Sequence, residues 1–69
     1  MMIFKIYKDK DEFYFTGEEG DLLIGLAGIP SLEYALIKIG SEINRRNIRE
    51  AQIYHDHKLV ADVSWVQMD

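Results

Sequence analysis

From Met2 to Lys8 the chain alternates Met2, Phe4 and Ile6 with Ile3, Lys5 and Tyr7, the period of two that sends successive side chains to opposite faces of a β-strand. Phe4 and Ile6 are expected to face a core. Asp9, Lys10, Asp11 and Glu12 then form a charged turn, after which Phe13 and Phe15 alternate with Tyr14 and Thr16 in a second strand. This N-terminal segment reads as a hairpin. The stretch Gly17-Glu18-Glu19-Gly20 punctuates the pattern. Asp21 to Gly25 is a short apolar run that periodicity leaves between a strand and a helical turn. A strand is favoured, because Gly25 and Gly28 weaken a helix and Pro30 ends any regular pattern.

Beyond Pro30 the period changes. Leu32, Ala35, Leu36, Ile39 and Ile43 recur at the spacing of one helix face, which predicts an amphipathic helix from roughly Leu32 to Arg46. Ser31 is placed to cap its first turn, and Glu33 to meet the positive end of its dipole. Arg45 and Arg46 suit the negative end, Asn47 suits the left-handed residue that stops a helix, and Ile48 is expected to pack back over the last turn.

The remaining segment carries a second hairpin, whose register follows from the rule that residues directly opposite one another share a face. A loop of Asp56, His57 and Lys58 pairs His55 with Leu59, Tyr54 with Val60, Ile53 with Ala61, Gln52 with Asp62 and Ala51 with Val63. One face is then apolar. A two-residue loop that sets Ile53 opposite Asp62 spoils that face, which disfavours it despite its being the commoner length. Trp65 falls in phase with Ala61 and Val63 and is expected to help close the core.

The predicted order is β-β-(β)-α-β-β, an α+β domain over residues 1–69 in which a single helix packs on one face of an antiparallel sheet of four or five strands. At 69 residues the chain holds one core, and a chain of this size buries only about 60% of the surface that its unfolded form exposes. It has no cysteine, hence neither a disulfide framework nor a thiolate metal site to reinforce that core. Packing and self-association are left. Leu22 to Ile29 is too short to cross a bilayer, and the N-terminus lacks the pattern of a signal peptide, so a cytoplasmic location is expected. The net charge of -4 disfavours non-specific attraction to nucleic acid and anionic membranes.

Four features carry candidate chemistry. His55, Asp56 and His57 have ligand types for a divalent metal, but the register turns His55 toward the apolar face and His57 into the loop, so no metal or other cofactor is expected. The run Ile24-Gly25-Leu26-Ala27-Gly28-Ile29-Pro30-Ser31 reads as a glycine-containing loop leading into a helix N-terminus. Its Ile24 to Gly28 portion is similar to the GXXG loop of KH domains, a resemblance of a few positions that implies contact with a nucleic-acid backbone. Here the loop carries no basic residue. Arg45, Arg46 and Arg49 form a local basic patch, interleaved with Asn44 and Asn47, with the residue types that contact phosphates. Finally, Tyr7, Tyr14, Tyr54, Val60 and Val66 project from the sheet face opposite the helix if Phe4, Phe13, Phe15 and Ile53 point inward.

Tyrosine-rich, moderately apolar surfaces are typical of protein interfaces. No nucleophile beside a base, no paired carboxylates and no metal set has mechanism-specific spacing, and Ser31, Ser41, Ser64 and Thr16 have simpler structural roles. The expected function is therefore a non-enzymatic interaction or regulatory module, a homodimer or one that docks on a larger partner through the tyrosine face. The alternative is a nucleic-acid-binding domain using the Gly25 to Gly28 loop with Arg45, Arg46 and Arg49.

Overall fold

The computed structural model describes residues 1–64, in which five strands and one helix follow one another as β1 (Met2–Asp9), β2 (Glu12–Glu19), β3 (Leu22–Ile29), α1 (Leu32–Arg45), β4 (Glu50–His55) and β5 (Lys58–Ser64). The third strand is present, and it runs through Gly25 and Gly28 to Ile29. The strands form one sheet in the order β3-β2-β1-β4-β5. Trp65 and Val66 lie outside the described residues.

The sheet is mixed, which corrects the expectation of a purely antiparallel one. β1 pairs antiparallel with β2 but parallel with β4. The two tight hairpins that precede the helix make β3 run in the same direction as β1. One helix returning across the sheet then delivers β4 in that direction as well. An antiparallel place for β4 would exist only beside β2, and β1 and β3 already occupy both edges of that strand. The free edges left are those of β1 and β3, both parallel to β4, and it pairs with β1.

Both flanking hairpins are tighter than the sequence pattern suggests. The first turns on Lys10 and Asp11 alone, with Asp9 opposite Glu12 and Lys10 at φ 59°. The second turns on Asp56 and His57, both with positive φ (56° and 65°), the backbone of a two-residue type I′ connection. His55 consequently faces Lys58, and Tyr54 faces Leu59. A bulge at Val60 then restores Ile53 opposite Ala61, Gln52 opposite Asp62 and Ala51 opposite Val63. One inserted residue reconciles the shorter turn with an apolar inner face.

The core lies between the sheet and α1. Met2, Phe4 and Ile6 of β1, Phe15 of β2, Ile24 and Ile29 of β3, and Ala51 and Ile53 of β4 meet Ala35, Ile39 and Ile43 of the helix. Leu36, expected in this set, is 36% exposed, while Leu32 and Phe13 pack at the margin. Phe4 and Phe15 meet edge to face with ring centroids 6.0 Å apart, a favoured arrangement for buried aromatic pairs.

Gly17 belongs to β2 and not to a turn, and it stands directly opposite Phe4. A Cβ built on Gly17 would lie 2.6 Å from Cε1 of the Phe4 ring. The ring thus occupies the space that any other residue at position 17 would claim.

The helix ends are built as the sequence suggests. Ser31 Oγ accepts a hydrogen bond from the Tyr34 N–H at 3.1 Å. At the other end Asn47 takes φ 54°, the Ile48 N–H donates to the Ile43 carbonyl at 3.0 Å, and the Asn47 N–H donates to the Asn44 carbonyl at 3.4 Å. This is a Schellman closure, completed by Ile48 packing as a core residue alongside Ile43.

Two stability outcomes follow. Gly17→Ala is expected to lower stability by about 1–3 kcal/mol through overpacking, and Phe4→Leu to cost less in that background than in the native protein; urea denaturation of the two single variants and the double variant measures both. At the helix end, Asn47→Gly should leave the melting temperature level or raised, whereas Asn47→Val should cost about 1–2 kcal/mol for a β-branched side chain in the left-handed region.

Candidate interaction surface on the open sheet face

The sheet face away from α1 begins with the residues of β1 that alternate with the core, Ile3, Lys5 and Tyr7. Register places Glu18, Thr16 and Tyr14 of β2 opposite them on one side. Gln52 and Tyr54 of β4 lie opposite Ile3 and Lys5 on the other. Leu23 of β3 continues the face beside Glu18, and Asp62 and Leu59 of β5 continue it beside Gln52 and Tyr54.

The tyrosines expected on this face are there. Tyr7 and Tyr14 are directly opposed across β1 and β2, and their rings stack with centroids 5.0 Å apart and planes inclined by 20°. Such a cross-strand pair stabilises the sheet by about 0.2–1 kcal/mol, and it fixes both rings before anything binds. The Tyr54 hydroxyl donates to Oε1 of Gln52 at 2.9 Å, which holds that ring over its own strand. Tyr7 and Tyr54 are half-buried and Tyr14 is exposed.

The valines fare differently. Val60 occupies the bulge of β5 and is 49% exposed, while Leu59, 50% exposed, takes the position opposite Tyr54 that the sequence reading gave to Val60. Val66 lies outside the described residues. Sequence reasoning placed Gln52 on this side with Tyr54 but missed Leu59 and Leu23 as members of the face. Leu59 was hidden by the bulge, and Leu23 belongs to a strand whose register against β2 no local pattern reveals.

The candidate phosphate-binding features are arranged less favourably. Arg45 reaches both carboxylate oxygens of Glu42, at 2.8 and 2.7 Å, and Arg46 Nε lies 2.8 Å from the same carboxylate. One acid shared by two arginines offsets part of the patch's charge. Arg49 lines an open groove at the end of the sheet together with Glu19 and Glu50, and Glu19 also holds the N-terminal amine at 2.8 Å. The Gly25 to Gly28 run is not a loop ahead of the helix. It lies within β3, where the register against β2 slips between Leu26 and Ile29 and Gly28 takes φ 73°. Gly28 thus serves a β-bulge.

His55 lies opposite Ile6 at the edge of the core, with its ring centroid 6.3 Å from that of Phe13, and His57 is exposed in the turn. Among the described residues no three His, Asp or Glu side chains converge on a common point. Nor is any described helix long and apolar enough to cross a membrane. Comparison with protein-family models, with curated proteins and with solved structures gives no match to this chain.

Hydrogen bonds from Arg46 and Arg45 hold the Glu42 carboxyl below the usual range for a glutamate. A depressed folded-state value means that the contribution is present above the ordinary glutamate range and is lost as the pH falls through the depressed value. Between pH 7 and pH 3 the native protein should therefore lose more stability than a Glu42→Gln variant does. For so exposed an arginine cluster the expected difference is about 0.5 kcal/mol, read from urea midpoints at the two pH values and shrinking in high salt.

Proposed function

We propose that this chain is a small docking module that acts by occupying the surface of a protein partner with its open sheet face. The observation that carries the reading is the preorganised aromatic patch: Tyr7 stacked on Tyr14, with Tyr54 fixed by Gln52, on a face that no described element covers. Rings held before binding cost little further side-chain entropy when a partner arrives, and tyrosine contributes apolar area with a polar tip. Lys5 lies among the rings, Glu18, Glu50 and Asp62 lie on the same face toward its other end, and the chain as a whole is acidic. The partner is accordingly expected to offer an apolar centre with a basic rim.

Two observations support a protein partner over nucleic acid. The stacked pair covers one face of each ring that a base would use, and Arg45 and Arg46 are committed to Glu42. In this reading the chain carries no catalytic step.

The test compares the native chain with a Tyr7→Ala/Tyr54→Ala variant as bait in crosslinked cell extracts, with circular dichroism to confirm that both are folded. Proteins retained by the native chain are expected to be lost from the double variant and recovered with Tyr7→Phe/Tyr54→Phe. Equal retention by the alanine variant overturns the reading. So does a shift of labelled RNA or DNA at low salt that Arg45→Ala/Arg46→Ala abolishes, since that outcome assigns the binding to phosphate contact.

A further inference from the structure

The sheet has two outer edges among the described residues, β3 and β5, and they are defended very differently. β5 carries charges at Lys58 and Asp62 and the bulge at Val60, devices that discourage a further strand from pairing. β3 has no charged residue from Leu22 to Ile29. Its own bulge lies at Ala27 and Gly28, which leaves Leu22 to Leu26 in regular register against β2. Along that stretch Leu22, Leu23 and Leu26 are 39%, 72% and 42% exposed. A regular, uncharged, apolar edge is a template for strand addition.

We propose that the occupant of this edge is a second copy of the chain, with β3 pairing antiparallel to β3 about a two-fold axis at Ile24. The interface shares Leu23 with the open sheet face but includes none of its tyrosines. Opposed residues must share a face, and the Ile24-centred register satisfies this for every apolar position. Leu22 of one copy meets Leu26 of the other on the helix side, and Ile24 meets Ile24. On the open side Leu23 covers Gly25, a large side chain against a position with none. The Leu22–Leu26 and Leu23–Gly25 contacts each occur twice and the Ile24 pair lies on the axis, as an isologous interface requires.

Charge selects the same arrangement. Glu18, Glu19 and Asp21 cluster at the β2–β3 turn, so that parallel pairing of two copies would set like charges side by side. Antiparallel pairing carries Asp21 to Ala27 of the second copy, toward the uncharged Gly28–Pro30 segment and the amino end of its helix, where the dipole favours acid. The axis stands normal to the sheet. Both tyrosine faces therefore look the same way from one continuous sheet, and a partner with two matching sites would bind it bivalently.

The test uses the full chain. Light scattering with size-exclusion chromatography should give a dimer mass that falls to the monomer on dilution. Leu23→Lys/Leu26→Lys, at two exposed positions, should weaken the dimer roughly tenfold or more with the native circular dichroism spectrum retained, and Tyr7→Ala/Tyr54→Ala should leave the dimer intact. A native chain that stays monomeric at all concentrations, a dimer that survives the lysine pair, or one lost with the tyrosine pair overturns the proposal. The register has its own readout, because the chain has no cysteine. Leu23→Cys and Gly25→Cys chains, mixed in a glutathione buffer, should form the mixed disulfide in preference to either homodimer; preference for a homodimer overturns the Ile24-centred pairing. Failure of this interface leaves the tyrosine-face reading standing, since that reading is scored by partner retention and not by mass.

Discussion

Phe4 can lie where it does only because the residue across from it has no side chain. It sits fully buried on the central strand, opposite Gly17 on one side and Ile53 on the other, with Phe15 against its edge. The ring spans a strand-to-strand gap that two ordinary side chains would fill separately. Gly17 loses the β-propensity that a larger residue would add, and Phe4 offsets that loss with apolar area removed from water. Because β1 also joins the two halves of the sheet, antiparallel to β2 and parallel to β4, both halves depend on the ring staying in place.

Much of this arrangement is legible in the residues. The alternation in β1 and β2, the helix with its Ser31 cap and its Asn47–Ile48 closure, and the inner register of the second hairpin are all local or follow from parity. What escapes the pattern is where two local rules compete. At Asp56–His57 the shorter turn conflicts with parity until one inserted residue, Val60, resets the count. At Gly17 the residue type signals a turn, and only its opposition to Phe4 explains it as part of a strand. The Gly25 to Gly28 run misleads in the same way, since a bulge and a loop ask for the same backbone freedom.

The parallel pairing of β1 with β4 belongs to a third category, because its ingredients were in the predicted element order. Three strands joined by tight turns and one helix fix the direction of the next strand, and β1 and β3 on either side of β2 leave β4 no antiparallel neighbour. Strand direction is thus a topological consequence that periodicity does not report. The candidate site divides along the same line. Tyr7, Tyr14 and Tyr54 were assigned by parity and lie together; Leu59 and Leu23 join them only through non-local register.

One helix cannot cover a sheet of this width. Five strands at a spacing of about 4.8 Å extend close to 20 Å across, about twice the diameter of a helix with its side chains. α1 packs mainly over β2 and β3, and the chain compensates toward β5 with small or half-buried residues, Ala51, Ala61 and Val63. The opposite face receives no helix at all, so its apolar area must either be kept modest or be matched by something outside the monomer. Tyrosine, threonine and glutamine keep most of it modest. Leu23 of β3 does not, and it lies at the edge whose backbone groups also lack a strand partner among the described residues. An apolar edge with free hydrogen-bonding groups is satisfied by one kind of object, another strand, and the strand that certainly accompanies this chain wherever it is made is its own β3.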